Sequence, residues 1–239
     1  MNKRICIFSW IFSISLILSL PLFADSKNIV YNQSFDYKNI ETLRINLTAE
    51  NLKISRIYGD EIVVEIGSNN LKQIPAVTLD QNDDDSSTFA IISTVKKASP
   101  GFNATVYLYL PQDFLPVEIS ISNVSGNIQS DLLTSQNIIF IKNVSGRTDV
   151  AGINTDYFSA GAVSGNITIQ KLSAGYFDIN NISGNVFAEL EKAFEARSKI
   201  TTVSGRIQVY YKKNESPFTD DSPDFIISSV SGKVETTAY

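Results

Sequence analysis

The chain contains no histidine, and its only cysteine, methionine and tryptophan (Cys6, Met1 and Trp10) all fall within the first ten residues. A Ser-His-Asp or Cys-His nucleophile, the common zinc sites and a disulfide are thereby excluded from everything downstream. Carboxylates, lysine, tyrosine and serine are what remain for chemistry. A chain without cross-links must take its stability from a packed core.

Long apolar runs are absent after Leu22, so no membrane span is expected beyond that point. The one such run, Ile5 to Leu22, follows Lys3 and Arg4 and ends at Ala24 before the polar Asp25 and Ser26. This is the pattern of a secretory signal peptide over residues 1–24. An uncleaved anchor is the rival, and Pro21 with the Ala24 junction favours cleavage. Cys6 stands at the start of the run and not at its end, which speaks against a lipoprotein anchor. The expected location is extracytoplasmic: periplasm, cell surface or secreted.

Excess positive charge is also lacking. Losing Lys3 and Arg4 with residues 1–24 leaves 18 basic against 25 acidic side chains, a net charge of −7. That balance argues against nucleic acid and against anionic lipid as partners.

What the chain does have is a repeat. Val124-Ser125-Gly126, Val144-Ser145-Gly146, Val163-Ser164-Gly165, Ile182-Ser183-Gly184, Val203-Ser204-Gly205 and Val230-Ser231-Gly232 recur at spacings of 20, 19, 19, 21 and 27. Ile121, Ile141, Ala160, Ile179, Ile200 and Ile227 stand three residues before each Val or Ile. Ile119, Ile139, Phe158, Phe177, Ser198 and Phe225 lie two residues further back, and Ile128, Thr148, Ile167, Val186, Ile207 and Val234 stand two after each Gly. Apolar residues at alternate positions predict strands, and the break at Ser-Gly predicts a corner. The expected fold is all-β: a parallel β-solenoid (β-helix) of about six short coils, with Ile, Val and Phe columns forming its core. Positive φ is expected at the corner glycines, Gly165 among them.

Residues 25–115 read as an irregular β region before the repeat domain of 116–239. Leu43, Ile45 and Leu47 alternate, Ala49-Glu50-Asn51 resembles a degenerate corner, and Leu52 and Ile54 follow. The region is expected to cap the solenoid or to supply irregular first coils, with a separate β-sandwich as the competing account.

Other features are weighed against plainer accounts. Asn123, Asn143 and Asn181, replaced elsewhere by Ala162, Thr202 and Ser229, suggest a partial asparagine ladder. Their Asn-x-Ser sequons, as at Asn123 and Asn143, are by-products of the repeat. Tyr157 and Tyr176 take equivalent outward positions, a stacked surface pair or, more weakly, a carbohydrate platform. Asp80, Asp83, Asp84 and Asp85 cluster without the glycine of a calcium loop, so a solvated hairpin turn is preferred and no metal or cofactor is expected. The wider last spacing implies an insertion within residues 211–223, where Lys212, Lys213, Glu215, Phe218, Asp220 and Asp221 form a candidate recognition loop. Glu189 to Arg197, with Leu190, Ala193 and Phe194 on one face, is the one helix-like stretch.

Signal peptide, strand-rich first part, the strand Val106 to Pro111 and serial Val-Ser-Gly coils together resemble the bacterial putative-adhesin family of domains of unknown function. The resemblance implies a β-solenoid and an extracytoplasmic location. It carries over no catalytic residue, and it assigns the six glycines Gly126, Gly146, Gly165, Gly184, Gly205 and Gly232 as structural corners.

Three functions compete. A non-catalytic binding or adhesin-like protein, presenting a repeated surface to a protein or glycan partner, comes first, and a periplasmic structural or regulatory scaffold second. A carbohydrate-active β-helix enzyme is a distant third. The residues following the corners are Asn127, Arg147, Asn166, Asn185, Arg206 and Lys233, then Gln129, Asp149, Thr168, Phe187, Gln208 and Glu235. They form no tight acidic cluster. End-to-end self-association through an exposed final coil is a further expectation.

Overall fold

A computed structural model describes residues 28–81, 87–191, 198–212 and 225–238, so the expected signal peptide of residues 1–24, Asp83 to Asp85 and most of the candidate recognition loop lie outside the described residues. Fifteen strands form, and the described residues contain no helix. The first seven are β1 (Ile29–Asp36), β2 (Ile40–Leu47), β3 (Asn51–Ile57), β4 (Glu61–Ser68), β5 (Ala76–Gln81), β6 (Ser87–Ile92) and β7 (Ala104–Pro111). The repeat supplies β8 (Glu118–Ser125), β9 (Ile128–Thr134), β10 (Ile138–Ser145), β11 (Thr148–Ser164), β12 (Ile167–Ser183), β13 (Val186–Leu190), β14 (Lys199–Tyr211) and β15 (Ile226–Ala238).

All fifteen belong to one sheet. The long strands turn a corner within themselves: β11 pairs with β9 through Thr148 to Asn154 and with β10 through Tyr157 to Ser164. Two stacks result. One runs through β2, β8, β10 and the second half of β11, the other through β3, β9 and the first half of β11, and β12 to β15 extend both. Pairs within the repeat are parallel, while β1 with β4, β4 with β7 and β5 with β6 are antiparallel. The chain is therefore all-β as expected, but its sheet taken whole is mixed rather than parallel. The antiparallel pairs arise in the first 111 residues, where the glycine corners are missing and strands reverse instead.

The apolar alternation points inward into one core that spans both parts of the chain, with Leu43, Ile119, Ile139, Phe158 and Phe177 in one buried row. Arg56 ties the first part to the repeat. Its Nη1 donates to the carbonyls of Pro111 at 2.7 Å and Phe114 at 3.0 Å, and its Nε to that of Leu132 at 2.9 Å.

Two expectations change. The valine column of the repeat is not core: Val124, Val163, Ile182 and Val203 are 48%, 43%, 51% and 48% exposed. Strict alternation from Ile121 places Asn123 inside and Val124 outside, and the inward place beside the corner goes to the residue able to hydrogen-bond it. The helix-like stretch begins as strand, since Glu189 and Leu190 belong to β13 with Leu190 buried. Residues 192–197 lie outside the described residues.

Candidate functional site

The corners set the geometry of the outer surface. Ser125, Ser145, Ser164, Ser183, Ser204 and Ser231 stand in register from coil to coil. Each corner is tied to the next coil by backbone bonds such as Gly146 N–H to the Ser164 carbonyl at 3.3 Å and Gly165 N–H to the Ser183 carbonyl at 3.0 Å. The contact is so close that a Cβ on Gly165 would stand 2.0 Å from the Gly146 oxygen. Positive φ occurs at Gly146, Gly184 and Gly205 but not at Gly165, so close approach, and not backbone sign, demands glycine there.

The inner asparagines complete the corners. Asn143 Nδ2 donates to the Gly126 carbonyl and Asn181 Nδ2 to the Gly165 carbonyl, both at 3.0 Å. They stack in register, but each amide bonds the backbone of the preceding coil, and not the next amide as a ladder would. Asn123 makes the same bond to the carbonyl of Glu50 at 2.9 Å, which identifies Glu50 as the corner of a first coil made by β2 and β3. Its carboxylate is fully buried and held by the N–H groups of Thr48 and Ala49 at 2.9 Å and by Ser93 Oγ at 2.6 Å. Sequence reasoning noticed this corner only as degenerate, because nothing in the sequence pairs Glu50 with a glycine column.

Asparagines also bridge coils just outside the corner. Asn127 Oδ1 accepts the Arg147 N–H at 3.0 Å, Asn166 Oδ1 that of Asn185 at 2.9 Å, and Asn185 Oδ1 that of Arg206 at 3.1 Å. The acids beside them are taken: Asp149 pairs with Arg147, and Glu235 with Lys233.

The outward face of the first stack carries a groove of about 630 Å³. Its floor is the row Ser122, Lys142, Gly161, Asn180 and Thr201. Gly161 leaves a gap between its longer neighbours, and a Cβ there would meet nothing closer than the Asn180 carbonyl at 3.8 Å. The valine column stands along one side as an aliphatic ridge, with Phe140 opposite. Thr201 donates to Asn180 and Asn180 to Asp178, which Lys199 holds at 3.1 Å. Lys142 is the single charge in the floor.

Phe140 packs edge-on against Tyr157 at 5.7 Å, and Tyr157 stacks on Tyr176 at 5.0 Å and 10°. The expected tyrosine pair is thus a run of three rings. Its two tyrosines spend their inner faces on each other.

Of the remaining sequence candidates, Asp80 is exposed on β5 and Lys212 is exposed just after β14. Lys213, Glu215, Phe218, Asp220 and Asp221 lie outside the described residues. No group of three or more potential metal-ligating side chains occurs among the described residues.

A model of the Toastrack DUF4097 family matches residues 40–236. No curated protein matches the chain. Among solved structures, a putative cell adhesion protein from Clostridium sporogenes aligns at 12% identity with a TM-score of 0.44, covering 87% of this chain and 98% of that one. A putative adhesin from Bacteroides fragilis aligns at 11% identity with a TM-score of 0.42, covering 89% and 98%. A putative adhesin from Parabacteroides merdae gives 11% identity, a TM-score of 0.38 and coverage of 89% and 97%.

Proposed function

The chain belongs to the Toastrack DUF4097 family, and on that premise we propose that it is an exported, non-catalytic binding protein. In this reading the six Val-Ser-Gly-centred coils form a β-solenoid that presents its ridge and groove to a partner. The observation that carries the reading is the exposed aliphatic column beside the groove. Such a contiguous apolar strip contributes nothing to the core, and on a water-facing surface it costs solubility unless something covers it. The Tyr157 and Tyr176 rings stack on each other, which takes up one face of each. Aliphatic side chains around a single cation suit a protein partner better than a glycan.

Two measurements test this reading. External protease on intact cells should clip the protein while a periplasmic control survives; a protein cut only after lysis returns the scaffold reading. Labelled protein should bind saturably to immobilised extracellular-matrix proteins and weaken by about tenfold or more when Gly161→Trp fills the groove. Equal binding by the variant would remove the groove from the interface.

A further inference from the structure

The groove on the outward face of the first stack is polarised from end to end. Toward β14 its polar groups are spent on one another: Thr201 donates to Asn180, Asn180 Nδ2 donates to Asp178, and Lys199 holds Asp178 at 3.1 Å. Toward β8 they are not. The Ser120 and Ser122 hydroxyls and the Lys142 ammonium, all lining the groove, have no hydrogen-bond or ion-pair partner among the described residues.

Across the strands, the neighbours of Lys142 are all neutral. Ser122 and Gly161 stand in register with it, and Ser120, Val124, Ser159 and Val163 lie diagonally. Arg147, Lys199 and Lys233 each have a carboxylate, at Asp149, Asp178 and Glu235. The acid of β8, Glu118, is in register with Ile138, four residues from Lys142 and so roughly 13 Å away along the strand. Next to this lone cation is the gap at Gly161. Lys142 and Asn180 close it along the floor row, which leaves it one residue wide, two inter-strand steps or roughly 10 Å between the flanking backbones. That is room for one large apolar side chain.

We propose that the groove takes a protein segment carrying a large apolar side chain beside a carboxylate, the apolar group entering the gap at Gly161 and the carboxylate meeting Lys142. The interaction rests on the binding role proposed above and gives the partner its chemistry. An unpaired ammonium between apolar walls attracts an acid and repels a second base, so it sets partner choice as well as affinity. The free Ser120 and Ser122 hydroxyls stand at the same end and can donate to the same carboxylate. Beyond Gly161 the exposed Ile182 and Val203 continue the ridge toward β14, where no free charge awaits. The segment therefore lies with its acid toward β8 and its apolar residues toward β14. A fatty acid offers the same two groups, but its chain would have to lie across Asn180 and Thr201, and a gap closed on both sides suits a single side chain.

The test is fluorescence anisotropy of labelled twelve-residue peptides, blocked at both ends, with Leu and Glu two, three or four positions apart in a neutral background, titrated with the purified protein. At least one should bind saturably, and exchanging its Glu for Gln or its Leu for Ser should weaken it by about tenfold. Lys142→Glu should lose a similar factor and prefer the peptide with Lys in place of Glu. Lys142→Met, which keeps the aliphatic stem without the charge, should bind the Glu and Gln peptides alike, and circular dichroism confirms that both variants keep their β structure. A series without a binder overturns the proposal, as does a Lys142→Glu protein with the wild-type preference, or dodecanoate that binds more tightly than every peptide. Binding to matrix proteins that Gly161→Trp abolishes and Lys142→Glu leaves intact would keep the groove as the interface and overturn its choice of an acid. Binding that neither variant weakens would overturn both.

Discussion

Gly165 has no positive φ, yet a side chain there has nowhere to go, because the Gly146 oxygen occupies the position a Cβ needs. Gly165→Val should therefore lower the thermal midpoint by the equivalent of about 1–3 kcal/mol or more, as overpacking does. Gly161→Ala, whose Cβ makes only an ordinary 3.8 Å contact, should melt near the wild type. Equal melting of the two variants would refute the close-approach account. The glycine column was legible in the sequence because the tripeptide recurs; its cause was not, since backbone proximity between coils is invisible in a single chain. The neighbouring valines show the same limit. Recurrence marks them as important, but only register reveals that Asn143 turns in to serve the Gly126 carbonyl and Val144 does not.

At the scale of the element, the β2–β3 coil uses a glutamate where later coils use glycine. Glu50 offers Asn123 the same carbonyl that Gly126 offers Asn143, and its side chain folds back to accept the Thr48 and Ala49 N–H groups. The strands stacked on this coil, β6 and β7, are joined by the long stretch 93–103 and not by a glycine corner, which leaves room for a side chain, and the carboxylate occupies that room as an internal cap. Glu50→Ala would leave two N–H donors and the Ser93 hydroxyl without their acceptor. It should cost about 2–4 kcal/mol, the range for losing charge-assisted hydrogen bonds in a buried site. Denaturant melts would show this as a lower midpoint with an unchanged slope; a loss below about 1 kcal/mol would mean that water replaces the carboxylate without penalty. Sequence reading reached Ala49-Glu50-Asn51 as a corner through the flanking alternation of Leu43 to Leu47 and Leu52 to Ile54. The carboxylate's role depends on Ser93, 43 residues away, and so was out of reach.

Across the whole molecule, the antiparallel end is where alkali should act first. Burial, then the neighbouring Glu65 carboxylate, pushes the Tyr109 hydroxyl up to about 12, and burial raises Tyr31 in β1 as well. The Tyr109 hydroxyl donates to Glu65 at 3.2 Å. A raised folded-state value means that the folded chain holds its proton while the unfolded chain has begun to lose it. Stability from this group is intact below pH about 10 and is lost as pH rises toward about 12. Urea midpoints measured between those limits should fall for the wild type and fall less steeply for Tyr109→Phe. Identical slopes would show that Tyr109 ionises as freely in the folded chain as in the unfolded one.

The sequence by itself determined the all-β class, the spacing of the repeated tripeptide and the exclusion of histidine and cysteine chemistry after residue 10, because these follow from composition and from local pattern. Tertiary structure decided which column faces water, where the sheet turns antiparallel, that Glu50 heads the corner column, and that a groove opens at Gly161. Each of these depends on which residues of different coils meet across the inter-strand spacing, and a one-dimensional repeat gives the spacing of its marks but not the faces on which they lie.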